Sequence, residues 1–439
     1  MIRPKIGTYA VYEPTEEGWE SWSQQLQQIN SDLADQGLEI ISAPEAVRDE
    51  DSCRRVAAWF ASQQVDLLHP LIITWSFDHY TVLIHQSAPL PVAIRTIPGI
   101  RTGSIVGGQQ LGNVLTDIEV EHRLLYGALG SQETARETAI YARACALRQK
   151  LRGARFLLIG RRTPGMSNIA IDELEILRLL GIVLTTMGMD EFNLVVEKVS
   201  PAQAEAEWQK VSTRAAEVSC NPQQAIASMK HYVALKQLIA QYQFQSITIG
   251  SYPACQGVAC LPLALLDDEG IATGCGEGDV NSAIAKYLLM QLSDAPGHFG
   301  EMLEIDESAN SIVTSHCGAG APSLADQDGY ILCPVRLAHS GVCIRYKARP
   351  GPITYVNLVG RRSNYRMCAI EGNAVHTEMV FEGNPMRIVL KTPLRNLWQA
   401  VSQYGFGHHW MAGYAHVANE LSVFCHLTGI KGIFPDIDP

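Results

Sequence analysis

Arg155-Phe-Leu-Leu-Ile-Gly160, running directly into Arg161-Arg-Thr-Pro-Gly-Met166, is the stretch on which the fold reading turns. An apolar run that ends in a Gly/Pro turn reads as a strand delivering its chain into a loop. Helical spacing follows from Ile171 to Leu180, and Gly181-Ile-Val-Leu-Thr185 reads as the next strand. Gln245-Ser-Ile-Thr-Ile-Gly250 is another, entering a polar turn before Cys255 and Gln256. Strands alternating with helices predict an α/β domain with functional loops at the strand ends.

Upstream, the same alternation recurs. Trp19, Trp22, Leu26, Ile29 and Leu33 repeat at three and four residues and mark one helix face. Leu38 to Ser42, Leu67 to Trp75 and Pro91 to Arg95 are strand candidates, with a helix around Val56, Ala57, Trp59 and Phe60. A long helical region is expected from about Ile118 to Leu151. Beyond residue 295 the period changes: Ile312-Val, Tyr330-Ile-Leu, Val342-Cys-Ile and Ile353-Thr-Tyr-Val are short runs separated by Gly, Pro, Asp or Asn. They predict a compact antiparallel sheet or barrel, before a last helical region from Ala412 to Leu427. The expected fold class is therefore α/β, with two α/β domains followed by a β-rich C-terminal domain. The expected division is 1–150, 151–295 carrying Glu277, and 296–439 carrying Glu301 and His409.

The chain has 439 residues, 47% apolar and 18% charged, and a formal net charge of −11. That balance excludes a broad basic surface for nucleic acid or anionic membrane. The N-terminus, Met1-Ile-Arg-Pro-Lys-Ile6, lacks the apolar segment of a secretory signal, and no run is long enough to span a bilayer. The eleven cysteines are scattered and odd in number. Cys255 and Cys260 do not form a Cys-x-x-Cys unit, so reduced thiols of a cytoplasmic protein are expected.

Three residues carry the chemistry. Glu277 lies in Gly274-Cys-Gly-Glu-Gly-Asp-Val-Asn-Ser-Ala283, Glu301 in Gly297-His-Phe-Gly-Glu-Met302, and His409 in Gly405-Phe-Gly-His-His-Trp410. Each alone has a bland explanation: Glu277 and Asp279 as acids at a helix start, Glu301 as a surface acid, His408 and His409 as loop residues. Together, in Gly-rich or aromatic turns, two carboxylates and an imidazole make an open, oxygen-rich site suited to Mn²⁺ or Mg²⁺. Such a set serves reactions that move hydrogen between adjacent carbons through an enediol. One carboxylate removes the carbon-bound proton and the other handles a hydroxyl proton.

These segments resemble the L-fucose isomerase and L-arabinose isomerase superfamily. Glu277-Gly-Asp279 with Ala283 is similar to the family's acidic loop and helix. Glu301, 24 residues later, matches its second acidic ligand, commonly Asp in the fucose isomerases. Gly407-His-His-Trp-Met411 with Ala415-His-Val-Ala418 resembles the segment of its metal-binding histidine, His409 being the matching position. Gly107-Gly-Gln-Gln-Leu-Gly112 and Gly160 to Met166 look like loops of the same superfamily, and Gln256 matches a sugar-contacting glutamine. The resemblance implies two Rossmann-like domains and a β-rich domain. It also implies dependence on Mn²⁺ (or another divalent ion such as Mg²⁺ or Co²⁺), a small-molecule sugar as partner, and a homo-oligomer, trimer or hexamer, with sites completed across subunits.

His316, in Ser315-His-Cys-Gly-Ala-Gly320, is a further substrate or metal contact, or else a histidine satisfied at a strand end. Cys317 beside it lacks the context of a nucleophile. Trp410, with Trp75 and Tyr404, offers an apolar face to a sugar, or else packs in the core. The expected activity is aldose–ketose isomerisation of a pentose, 6-deoxyhexose or modified hexose, with Glu277 and Glu301 as ligands and proton-transfer groups, His409 as third ligand, and Gln256, His316 and Trp410 contacting substrate. A non-catalytic sugar-binding or regulatory protein on the same fold is the alternative. Metal-dependent aldol or lyase chemistry is a third reading.

Overall fold

In the computed structural model, which describes residues 1–252, 257–336 and 340–437, strands and helices alternate from the start. The order is β1 (Lys5–Val11), α1 (Trp22–Asp35), β2 (Glu39–Ser42), α2 (Glu50–Ala61), β3 (Leu67–Ile72), α3 (His79–Ser87), β4 (Val92–Thr96), α4 (Ser104–Asp117), β5 (His122–Tyr126) and α5 (Gln132–Leu151). All five strands pair in parallel in the order β2-β1-β3-β4-β5, a doubly wound sheet. β3 and β4 are buried along their whole length, as strands covered on both faces must be. Residues 2–150 form one compact unit.

Two expectations for this unit are corrected. The helix expected from Ile118 to Leu151 is interrupted by β5, and Glu119, with φ of 57°, marks the break. Pairing of β5 with β4, a contact distant in sequence, overrides local helical preference. Gly107 to Gly112 lie within α4 rather than in a loop. A Cβ on Gly108 would stand 2.2 Å from Thr96 Cγ2, so the glycine lets the helix settle on β4.

Residues 151–439 form the second compact unit. It begins with β6 (Arg155–Gly160), α6 (Glu173–Leu180), β7 (Val183–Met187), α7 (Met189–Glu197), α8 (Pro201–Ser212), β8 (Glu217–Val218), α9 (Pro222–Tyr242), β9 (Ser246–Gly250), α10 (Cys260–Asp268), β10 (Ala272–Thr273) and α11 (Val280–Leu292). It continues with β11 (His298–Asp306), β12 (Ser311–Ser315), β13 (Ile331–Pro334), β14 (Val342–Arg345), β15 (Gly351–Val359), β16 (Arg366–Val375), β17 (Met386–Leu390), α12 (Leu394–Tyr404), β18 (His409–Gly413), α13 (Ala418–Thr428) and β19 (Lys431–Ile433). A parallel sheet runs β10-β9-β6-β7. In the larger sheet the antiparallel order is β15-β18-β11-β12-β17-β16, and pairing of β15 with β16 closes these strands into a barrel. Closure leaves those strands no open edge. The fold is thus α/β, with parallel sheets and a separate, β-rich mixed sheet.

One hydrophobic core runs from Leu157, Ile159 and Ile247 of the parallel sheet to Tyr355, Ile370 and Trp410 of the barrel. α11 packs on β15 and β18 and so links the two layers. It is fixed from below by a buried ion pair, Lys286 Nζ to Asp267 Oδ2 at 2.6 Å. Thr273 N donates to the other Asp267 oxygen at 2.9 Å. Burial pushes Asp267 up to about 6, and the Lys286 ammonium works against that rise. Among the described residues, no helix is long and apolar enough to cross a membrane.

Candidate metal centre

Glu277 sits beyond the carboxyl ends of β6 and β9, where ligands of parallel α/β sheets bind. Its loop is clamped there: Thr163 N donates to the Glu277 carbonyl at 2.9 Å, and Ser251 N to that of Gly276 at 2.8 Å. Gly278 makes the turn with φ of +80°, and a Cβ there would lie 3.0 Å from Arg161 O. The side chain of Glu277 is buried, and its Oε2 finds no hydrogen-bond partner.

Glu301 and His409 were expected in turns; they lie in strands. β11 and β18 run antiparallel and place the two residues directly opposite each other, so their side chains share a face of the sheet. Phe299, two residues before Glu301, lies on that same face. Its ring stands edge-on to His316 at 4.5 Å and is inclined to His409 at 4.9 Å between centroids. His316 emerges from the end of β12, whose Ser315 pairs with Glu301. Its Nε2 is 3.7 Å from Glu277 Oε1.

The candidate ligand atoms fall into two overlapping groups. Cys275, Glu277 and His409 form one, and Glu301, His408 and His409 the other, each with its ligand atoms within 4.8 Å of one another. His409 joins them. Its Nδ1 is 2.8 Å from Asp279 Oδ2, while its Nε2 is buried without a partner. An orphaned carboxylate oxygen and an orphaned imidazole nitrogen in one buried cluster fit a divalent cation, because burying such atoms unpaired is costly otherwise. The electrostatics agree. Burial would raise the Glu277 pKa, but His316, the Cys275 thiol and His409 outweigh it and hold the carboxyl below its usual range. Burial would lower that of His316, yet Cys317 and Glu277 lead the charges that push it up to about 10. Cys317 itself is drawn down to about 5, first by its contact with Cys260 and then, against burial, by His316.

The other expected contacts separate. Trp410 is a correction. It follows His409 by one residue and therefore points to the opposite face of β18, into the core. It is fully buried, stacked on Tyr355 at 4.8 Å, and donates from Nε1 to Gly407 O at 3.0 Å. Neither ring face is free for a sugar. Gln256 lies outside the described residues. His408 is 38% exposed, 3.7 Å from Glu301 and 3.0 Å from Asn168 Nδ2. Sequence reading passed over Asp279 as a helix-start acid, and Phe299, Cys275 and Asn357 altogether. Asn357 Nδ2 donates to the carbonyls of Gly407 at 3.0 Å and His409 at 2.6 Å, fixing where β18 begins. Only Asp279 left a signal, as the Asp of an Asp-x-x-Ser cap.

No family model matches the chain. It is 22% identical over 364 residues to the sulfoquinovose isomerase of Priestia megaterium (strain ATCC 12872 / QMB1551), covering 80% of this chain and 81% of that protein. With the sulfoquinovose isomerase of Alkalicoccus urumqiensis it shares 24% over 334 residues, 73% of this chain and 74% of the relative. The L-arabinose isomerase of Nocardioides sp. (strain ATCC BAA-499 / JS614) matches at 24% over 356 residues, 76% and 70% of the two chains. The chain is thus similar, over about three quarters of its length or more, to sugar isomerases. At 73–80% of the chain, the similarity extends well beyond the C-terminal third, where the sequence resemblance is clearest.

Proposed function

We propose that this protein is a divalent-metal-dependent aldose–ketose isomerase acting on a pentose, 6-deoxyhexose or modified hexose. The observation that carries the metal dependence is the pair of buried, unpartnered atoms, Glu277 Oε2 and His409 Nε2, in one cluster. Glu277, Glu301 and His409 would hold the ion, with His316 beside them. When bound, a divalent ion polarises the substrate carbonyl and stabilises negative charge on the sugar oxygens. Glu277, held ionised, and Glu301 share the proton work. One takes the proton from the carbon next to the carbonyl, and the other passes a proton between the hydroxyl and carbonyl oxygens. Phe299 walls the two imidazoles and keeps water from their edges. Mn²⁺ is the proposed ion, and a homo-oligomeric, cytoplasmic enzyme the proposed setting.

The test is an assay of chelated and Mn²⁺-reconstituted protein against an aldose panel, headed by sulfoquinovose and L-arabinose, the sugars in the relatives' names. Mn²⁺ should restore turnover and raise Tm, since ion binding to the native state adds about 2.7 kcal/mol at a hundredfold excess over Kd. Turnover in deuterated water should place deuterium on the carbon next to the carbonyl, provided the base exchanges. Saturable sugar binding with no isomerisation across the panel would instead mark a binding protein.

A further inference from the structure

Asp279 makes contacts that the proposed reaction does not require of it, and they define its role. It caps the N-terminus of α11: its Oδ1 accepts from Ser282 N at 3.1 Å, and its Oδ2 from Ser282 Oγ at 2.5 Å. The same Oδ2 lies 2.8 Å from His409 Nδ1. Asp279 and His409 are both buried. Two bonds to one serine, at the start of a helix packed on the barrel, leave the carboxylate no freedom to turn away. A carboxylate oxygen accepts hydrogen bonds from a ring N–H, so the 2.8 Å contact places the imidazole proton on Nδ1. The lone pair is then on Nε2, the nitrogen that is buried without a partner. Cys275 Sγ also approaches Nδ1, but at 3.9 Å it does not displace the carboxylate.

We propose that Asp279 is the positioning residue of the metal centre: its carboxylate holds His409 in the Nδ1–H tautomer and aims Nε2 at the ion. The inference rests on the metal-centre reading above and adds to it a residue that is not itself a ligand. Carboxylates in this relation to a ligating histidine fix ring orientation and raise ligand basicity, and losing one weakens metal binding roughly 10- to 100-fold. Helix capping alone predicts something else: lower stability and unchanged metal affinity once the protein is folded.

Asp279→Asn separates the two, because asparagine caps helices as well as aspartate does. Its amide can donate to Nδ1 and so permits the wrong tautomer. Full-length Asp279→Asn and Asp279→Ser should fold with an apo Tm close to the wild-type value, yet bind Mn²⁺ roughly 10- to 100-fold more weakly by chelator competition. The sugar KM at saturating Mn²⁺ should change little. In the metal-free wild-type protein, imidazole ¹⁵N shifts should report His409 protonated on Nδ1. His409→Ala serves as the control. If it binds Mn²⁺ normally, the metal-centre reading fails. If it loses Mn²⁺ while Asp279→Asn and Asp279→Ser bind the ion as tightly as wild type, the reading stands and the role given to Asp279 is overturned. Wild-type His409 protonated on Nε2 overturns it as well, whatever the variants do.

Discussion

His409 and its neighbour show how much one residue of register decides. His409 is grouped with Glu277 on one side and Glu301 on the other, whereas His408 is partly exposed and contacts Asn168. We expect His409→Ala to lose bound Mn²⁺ and turnover, and His408→Ala to keep most of its metal, as measured by metal analysis of both purified variants. The reverse pattern would move the ligand assignment by one residue. Glu301→Gln, which removes a charged oxygen, should weaken Mn²⁺ affinity and its effect on Tm; a variant with normal affinity and turnover would take Glu301 out of the site. Trp410, on the other side of the same strand, should behave as a core residue. Trp410→Phe gives up the bond to Gly407 O and some packing, so it should lower stability by about 1–2 kcal/mol while leaving the sugar KM alone. A raised KM with unchanged Tm would restore it as a sugar contact.

Among the elements, α11 carries the heaviest load, with the Glu277 loop ahead of it, Asp279 at its cap and Lys286 within it. Lys286 and Asp267 are both buried, so removing one partner strands a charge. Lys286→Met should cost about 3–5 kcal/mol in chemical denaturation, the usual result of breaking a buried pair on one side. The paired change with Asp267→Asn should recover part of that loss. A single variant as stable as wild type would show that the pair does not hold the helix. Here the sequence was legible in part. The helix following Glu277 could be read from apolar spacing, but the salt bridge beneath it joins positions 19 apart on different elements.

At the scale of the whole molecule, two buried histidines set an acid limit. His69 in the first unit and His298 in the second are each held down to about 4, chiefly by burial, with Arg95 adding to the effect on His69 and Lys286 and His316 to that on His298. A histidine with a folded pKa below its unfolded value binds fewer protons folded than unfolded. Its contribution is therefore intact above about pH 6.5 and is lost as pH falls toward 4. Each can cost up to about 3 kcal/mol at the bottom of that window. Urea midpoints of the full chain should fall between pH 7 and 4.5, and His69→Gln and His298→Gln should each flatten the slope. Unchanged slopes in both variants would place the acid sensitivity elsewhere.

By itself the sequence determined the layers and the candidates for the site. Runs such as Phe156 to Ile159 can only be buried strands when turns bound them, and a change to short, turn-separated runs after residue 295 marks a β-rich region. Those are local patterns of burial, and burial is written into residue type. Glu277, Glu301 and His409 could be named because Gly-rich and aromatic surroundings and a family resemblance marked them. Tertiary structure alone decided how they meet. Closure of the barrel sets β18 against β11, which turns His409 toward Glu301 and Trp410 into the core. Placing Asp279 behind His409, and Phe299 between two imidazoles, likewise needs contacts across more than a hundred residues in the first case and across two strands in the second. Cross-strand register and helix packing are set by the sum of many distant contacts, and no short window of sequence contains that sum.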